Sequence, residues 1–290
     1  MKKKNRDSIR IRILAAFLFV SICGTQPLCA QENAVSQNEA VKGFTMSIVD
    51  KGGKEKALIA GDTANLLPNG VVEVNNLVAR IFGGGISNPD TIVHTAKGIY
   101  DRLRNTVTTD QFVRIDRRDV TITGTGLKWL PNRSKVVLLE NLKVEYSAVD
   151  EFGVKIVTTI TCRGNGILDC EKETVVFEKQ VVISNPNAVL SANRVKVFFD
   201  KETQSIIRAE AYGGVKIKQP ERESSSKRAI YYIKDDKIVL SGCPKIVQNK
   251  DLYTAERVTI YDKGNRVVFE PKAELIIYTE TYRGDVKSES

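Results

Sequence analysis

The chain has 290 residues, with 44 Lys and Arg against 35 Asp and Glu, 42% hydrophobic residues, one histidine, one tryptophan and five cysteines. One histidine and no His/Cys/Asp/Glu run with metal-ligand spacing argue against a metal centre, and one tryptophan argues against an aromatic-lined sugar cleft with paired carboxylates. The formal charge of +9 suggests a nucleic-acid surface only until its distribution along the chain is read.

Residues 1–30 read as an export signal. Lys2, Lys3, Lys4, Arg6, Arg10 and Arg12 form a basic leader, an apolar run follows over 13–24, and Leu28-Cys29-Ala30 offers a small residue for cleavage. That run falls well short of the roughly 20 residues that a spanning helix needs. Cleavage after Ala30 is expected, and an uncleaved inner-membrane tether extending to Leu28 is the other option. Six of the 44 basic residues and one of the 35 acidic ones lie in this leader, so the rest of the chain carries +4 rather than +9. No run of five or more Lys or Arg occurs in that remainder, and no nucleic-acid partner is expected.

Residues 31–43 are polar and aperiodic and read as a flexible lead-in. Strand signals begin at Phe44, Met46 and Ile48 and continue to Tyr282 without a convincing helical period. Turn chemistry recurs at hairpin intervals, at Pro68-Asn69-Gly70, Asn88-Pro89-Asp90, Pro131-Asn132, Gly164-Asn165-Gly166, Asn185-Pro186-Asn187, Asp235-Asp236 and Lys263-Gly264-Asn265. Gly83-Gly84-Gly85 reads as a turn. Pro244 and Pro271 fall inside arms and each implies an edge, a bulge or a strand start. About 14 to 16 antiparallel strands over 44–282 make one elongated all-β body, with pseudo-halves 44–146 and 154–282 and a tail over 283–290.

The clearest unit runs from Ser191 to Ile217. In its returning arm the odd positions from Ile207 to Ile217 are Ile, Ala, Ala, Gly, Val and Ile, while Arg208, Glu210, Tyr212 and Lys216 occupy even ones. Period two gives a strand with one dry face. A small pair accompanies such an arm at Ala60-Gly61, Thr95-Ala96, Thr123-Gly124, Thr161-Cys162, Ser191-Ala192, Ser225-Ser226 and Thr254-Ala255. The spacings between successive pairs alternate long and short. Ala60, Thr95 and Thr123 in the first half also recur, at a nearly constant offset, as Ser191, Ser225 and Thr254 in the second. That register indicates seven hairpin repeats, each pair being expected to precede its arm.

Ser191-Ala192-Asn193-Arg194-Val195 with Phe199-Asp200, Gly213-Gly214-Val215-Lys216-Ile217, and Thr254-Ala255-Glu256-Arg257-Val258 with Tyr261-Asp262 resemble the repeat of the OstA-like family. That family includes LptA, LptC and the amino-terminal domain of LptD. The resemblance covers about 44–277 and is clearest from Ser191 onward. It implies an open, V-shaped β-jelly roll whose two sheets enclose an apolar trough, a periplasmic location, and transport of lipopolysaccharide or a related glycolipid. A trough suits such cargo because each exposed methylene costs about 0.8 kcal/mol, so a twelve-carbon tail costs on the order of ten.

Dry-face positions expected at the trough are Val113, Ile115, Val120, Ile122, Val195, Val197, Phe199, Ile207, Ala209, Ala211, Val215, Ile217, Val258 and Ile260. The same alternation serves plain core equally well. Arms around Phe44, Met46 and Ile48 and over Glu274-Leu275-Ile276-Ile277-Tyr278 lack lysine or proline guards, so Phe44, Met46, Ile48, Leu275 and Ile277 mark expected edge-strand contacts. The resemblance implies that such edges pair with other Lpt-type components, or head to tail with a second copy, in a bridge between membranes.

No catalytic residue is expected. His94 reads as a sheet residue, no glycine-rich loop joins a strand to a helix, and neither cofactor nor metal is implied. Cys162 and Cys170 flank the turn at Gly164-Asn165-Gly166 and would close a short loop in an oxidising compartment; pairing and free thiols both stay open. A secreted β-repeat surface or structural protein without lipid transport is the alternative function, since it would share the leader and the strands.

Overall fold

Apolar and polar residues alternate along extended stretches of the chain, and in the computed structural model each such stretch is a long strand. The structure describes residues 40–49, 53, 55–82, 91–104, 106–117, 119–130, 135–149, 153–169, 171–200, 206–261 and 266–277. The first seven strands are β1 (Ala40–Val49), β2 (Glu55–Leu67), β3 (Val71–Ile81), β4 (Thr91–Asp101), β5 (Thr106–Arg117), β6 (Val120–Leu130) and β7 (Lys135–Val149). Next come β8 (Lys155–Cys162), β9 (Gly166–Asp169), β10 (Thr174–Asn185), β11 (Ala188–Phe199), β12 (Ile206–Gln219) and β13 (Arg222–Tyr232). The last six are β14 (Lys237–Ser241), β15 (Lys245–Gln248), β16 (Asp251–Thr254), β17 (Arg257–Tyr261), β18 (Arg266–Glu270) and β19 (Glu274–Ile276). Pro68–Gly70 forms a single 3-10 turn.

Each rung of the sheet pairs antiparallel with the next along the chain, so the sheet is one long meander. Four rungs are split in two: β8 with β9, β14 with β15, β16 with β17, and β18 with β19. Fifteen rungs result, which at about 4.8 Å each stretch over roughly 65–70 Å. Among the described residues β1 pairs only with β2, while β18 and β19 pair only with β17 and β16. Among the described residues, the strands at both ends of this all-β jelly-roll body therefore have a neighbour on one side only.

What turns a meander into two layers is a bend in the middle of each rung. Register shifts fall at Thr95/Ile99, Thr109/Phe112, Thr123/Thr125, Glu178/Val181, Ser191/Arg194 and Tyr212/Val215. Such bulges bend a strand and take one residue out of the ladder. Along alternate rungs, β5 excepted, the bend uses positive φ, at Gly43, Asn76, Asn141, Lys179 with Gln180, Gly213 with Gly214, Gly242 with Cys243, and Lys272. Gly213 and Gly214 reach φ of 76° and 62°, a conformation that side chains with a Cβ adopt at a cost.

The small pairs lie on the intervening rungs at this same bend. They sit in the middle of their rungs, inside β2, β4, β6, β11 and β13 and at the ends of β8 and β16 just ahead of the second arm, because there the backbones come too close for bulk. A Cβ on Gly61 would stand 2.3 Å from Val74 Cγ1, and one on Gly164 would stand 2.7 Å from the Glu178 carbonyl oxygen. Hydroxyls and a thiol also serve the bend. Thr95 Oγ1 donates to the Lys97 carbonyl at 3.4 Å, Ser226 Oγ to that of Arg228 at 3.0 Å, and the Cys162 thiol to that of Gly164 at 3.4 Å. In each case the acceptor is two residues on, where the ladder is interrupted. The anchors that recur between the two halves of the chain lie eight rungs apart, on β2 and β11, β4 and β13, and β6 and β16.

Three expectations are corrected here. The lead-in ends earlier than Gly43, since β1 begins at Ala40 and pairs with Asn65 of β2. Ile207 does not face the interior: the shift between Phe198 and Phe199 pairs Phe199 with Ile206, so Ile206 is buried and Ile207 is 49% exposed. The terminal arm is shorter than expected, with β19 covering Glu274–Ile276 and Ile277 lying beyond it. The export leader, the turn at Gly83-Gly84-Gly85 and the tail lie outside the described residues. Pro244 and Pro271 occupy the breaks between β14 and β15 and between β18 and β19.

Leu240 is completely buried in the main core. Leu240→Ala is expected to cost about 2–5 kcal/mol in urea unfolding, whereas Val189→Ala, on the outer surface, should stay within about 0.5 kcal/mol. On the outer face, Asp116 accepts from Arg114 at 2.7 and 2.8 Å and from Thr121 at 2.9 Å, which holds its carboxyl below the usual range. Its stabilising effect is therefore present above the unfolded value and lost as pH falls through the folded one. Asp116→Asn should cost at most about 1 kcal/mol at neutral pH and nothing once both states are protonated, as read from unfolding midpoints across pH.

Candidate functional site

The inner faces of the two layers build two separate apolar clusters. The larger runs from Val113 on β5 to Ile260 on β17 and takes residues from both arms of nearly every rung between them. The smaller contains Ile59, Ala64, Val72, Val74 and Leu77, with Phe44, Met46 and Ile48 of β1 packed against it. The two clusters fail to merge around β4. Its inward positions there carry Val93, Thr95 and Gly98, which are small, and β2 and β3 add Ala57 and Ala79.

The gap is a cavity of about 80 Å³ lined by Ile48, Ala57, Ile59, Leu77, Ala79, Ile81, Val93, Thr95, Gly98, Val107, Thr108, Thr109, Val113, Ile115, Leu127, Trp129 and Val136. All the surface it exposes is apolar. Polar atoms at its rim are occupied: Thr95 and Thr109 hydroxyls lie 3.3 Å apart, and Thr109 Oγ1 accepts from the Gln111 amide at 3.1 Å. An apolar void of about 150 Å³ stays dry and takes benzene, so this smaller one has room for no more than a few carbon atoms. Leu77 fills the space beside β4, because a Cβ on Gly98 would meet Leu77 Cδ1 at 2.5 Å.

Of the expected trough residues, Val113 and Ile115 line this cavity. Val120, Ile122, Val195, Val197, Phe199, Ala211, Val215, Val258 and Ile260 are buried in the larger packed cluster, and Ala209 and Ile217 pack against it. Ile48, expected only at an edge, lines the cavity as well. The contributions of Ala57, Ile59, Leu77, Ala79, Val93 and Trp129 were missed by the sequence reading. The alternation Ala57-Ile59 and Leu77-Ala79-Ile81 carried the signal, next to the anchor at Ala60-Gly61. At the other end Leu275 and Ile277 are exposed.

Nothing resembling a catalytic cluster accompanies the cavity. Among the described residues no group of three or more His, Cys, Asp and Glu could hold a metal ion. His94 is exposed, paired in register with Arg114 on the outer face. Cys162 is buried, and its partner in the expected short-loop bridge, Cys170, lies outside the described residues. Burial pushes the Cys162 thiol up, while Cys243 is free and exposed. In the chain lacking residues 1–30 and carrying Cys170→Ser, alkylation followed by mass spectrometry should modify Cys243 within minutes and Cys162 only after unfolding.

Residues 164–266 match the family model described as LptA/(LptD N-terminal domain) LPS transport protein. No curated protein sequence matches the chain. Among solved structures, the chain is similar to LptH, the LptA-homologous periplasmic component of the conserved lipopolysaccharide transport device from Pseudomonas aeruginosa. That similarity has 16% identity and a TM-score of 0.38, and spans 42% of this chain and 95% of LptH. The stretch matched by the family model runs from the bend before β9 to the start of β18 and contains all three of the segments that resemble the OstA-like repeat, so the likeness to that family rests on this part of the chain.

Proposed function

We propose that the protein is a periplasmic component of lipopolysaccharide transport, and that it shields acyl chains between the two layers of its folded sheet. The observation that carries this reading is the wholly apolar cavity where the two core clusters fail to meet. A monomeric fold gains about 25 cal/mol for each Å² of apolar surface it removes from water, so an unfilled apolar gap between two otherwise packed cores is a standing cost. A hydrocarbon chain entering it removes that cost and buries its own methylenes. The LptA-like match over residues 164–266 supports glycolipid as the cargo.

The one-sided end strands support a bridge built from like parts. Among the described residues β1 has one partner strand, and its Phe44, Met46 and Ile48 continue the apolar lining up to the edge. An added strand there, from another transport component or from a second copy, would satisfy unpaired backbone groups and lengthen the lining. In this reading the protein performs no catalysis and its ligand leaves unchanged.

Trp129 is the only tryptophan in the chain and lines the cavity, so it reports occupancy directly. Lipopolysaccharide or a shorter amphiphile carrying bromine on its acyl chain should quench Trp129 emission at saturation, and the unbrominated amphiphile should not. Filling the gap with Ala79→Phe should abolish the quenching while the protein stays folded by circular dichroism. Quenching that is absent in the parent, or unchanged in Ala79→Phe, counts against the reading.

A further inference from the structure

The inner face of β13 departs from the rest of the lining. Paired positions in an antiparallel sheet share a face, so Ser226 lies beside Val215, Ser224 lies between Ile217 and Ile246, and Arg222 lies between Gln219 and Gln248. Val215 and Ile246 are core residues. One rung therefore puts two hydroxyls and a guanidinium where its neighbours put aliphatic side chains.

Ser226 is accounted for by the bend, since it donates to the Arg228 carbonyl. Ser224 is not. It is 4% exposed, and its hydroxyl has no hydrogen-bond partner. A buried hydroxyl without a partner is destabilising, and alanine at the same position would carry no such cost. Arg222, two residues away or about 6.6 Å along the strand, is equally unfinished. Its Nε and Nη2 both donate to the one amide oxygen of Gln219, at 3.2 and 2.9 Å. Among the described residues no carboxylate forms an ion pair with it. Glu223 points to the other face and pairs with Lys218 at 3.0 Å. Asp251, paired with Gln248, is the next charge along the row, two strands and about 10 Å from Arg222. Burial lowers the Arg222 pKa with no opposing carboxylate to restore it.

We propose that Arg222 and Ser224, flanked by Gln219 and Gln248, form an anion subsite that takes the phosphate or carboxylate of an amphiphile at the rim of the second half of the interior. The guanidinium supplies the counter-charge and the Ser224 hydroxyl one further donor. Ile217 and Ile246 then receive the first methylenes of the attached chain. The subsite rests on the lipid-carrying reading above, and adds to it a polar anchor that fixes which way round the amphiphile lies.

The test uses the full chain after removal of the leader and three probes: dodecyl phosphate, the neutral dodecyl maltoside, and inorganic phosphate. Dodecyl phosphate should bind at least tenfold tighter than dodecyl maltoside in titration calorimetry. Arg222→Gln should remove that preference without changing maltoside affinity, and Ser224→Ala should reduce the preference several-fold. Ser224→Ala should also raise the urea midpoint, the reverse of what a structural role for this hydroxyl requires. Equal affinity for the two alkyl probes, or a preference untouched by Arg222→Gln, overturns the subsite and leaves lipid carriage standing. Arg222-dependent binding of inorganic phosphate with no binding of either alkyl probe upholds the anion site and removes the lipid. Binding of none of the three overturns both.

Discussion

The bend in the middle of every rung is the constraint on which the molecule depends. A flat meander of fifteen long strands would leave one apolar face in water. Folding each strand on itself brings that face against its own continuation, so a single sheet becomes both layers of a core. The interruption this imposes on the ladder is met locally, by positive φ on one rung and by a small residue with a short donor on the next. Thr95, Cys162 and Ser226 each return a hydrogen bond to the carbonyl two residues on. Bulk at Gly61 or Gly164 would push the layers' shared spine apart, because the nearest atoms are a packed valine methyl and a backbone carbonyl.

Because the bend is a property of each rung, the interior can vary along the body without changing the architecture. From β5 onward large aliphatic residues from both arms fill it, and Tyr253 of one layer stacks on Phe269 of the other at 5.6 Å. Around β4 the inward residues are small and a gap remains. At β13 the inward residues turn polar. Both departures lower stability relative to a uniformly apolar filling, one by leaving a void and the other by burying an unpaired hydroxyl. Their costs are borne by an otherwise continuous core, and both lie on the face where a lipid would run.

The outer face follows different rules. Arg208 and Arg228 flank the buried carboxylate of Glu210, which also accepts from Tyr212. Arg208 and Lys196 both sit over the half-buried ring of Phe198, at 4.1 and 4.6 Å. Arg208 and Arg228 each pair with Glu210 although the Nε of each has no hydrogen-bond partner; Arg222 inside differs in facing no carboxylate at all among the described residues. Charge on the outside is solvated and paired, and so contributes solubility and small increments of stability. This is also where the surplus of positive charge in the full sequence loses its apparent meaning.

Much of this was legible without a structure. Period-two alternation identified the strands, the turn residues counted them, and the recurrence of small pairs at a nearly constant offset revealed the repeat, because all three follow from local backbone chemistry. The arms around Ser191 and Thr254 pointed to the family that matches residues 164–266. Tertiary structure alone decided where the pairs sit, since a small residue before a strand and one inside a bent strand look the same in sequence. It also turned Ile207 outward, because a one-residue bulge changes which side chain faces in while leaving the alternation intact. Alternation at Ala57-Ile59 and Leu77-Ala79-Ile81 marks residues that face inward, but not the void between them: a void is set by what the opposite layer fails to supply, and its lining residues are as far apart in the chain as Ile48 and Val136.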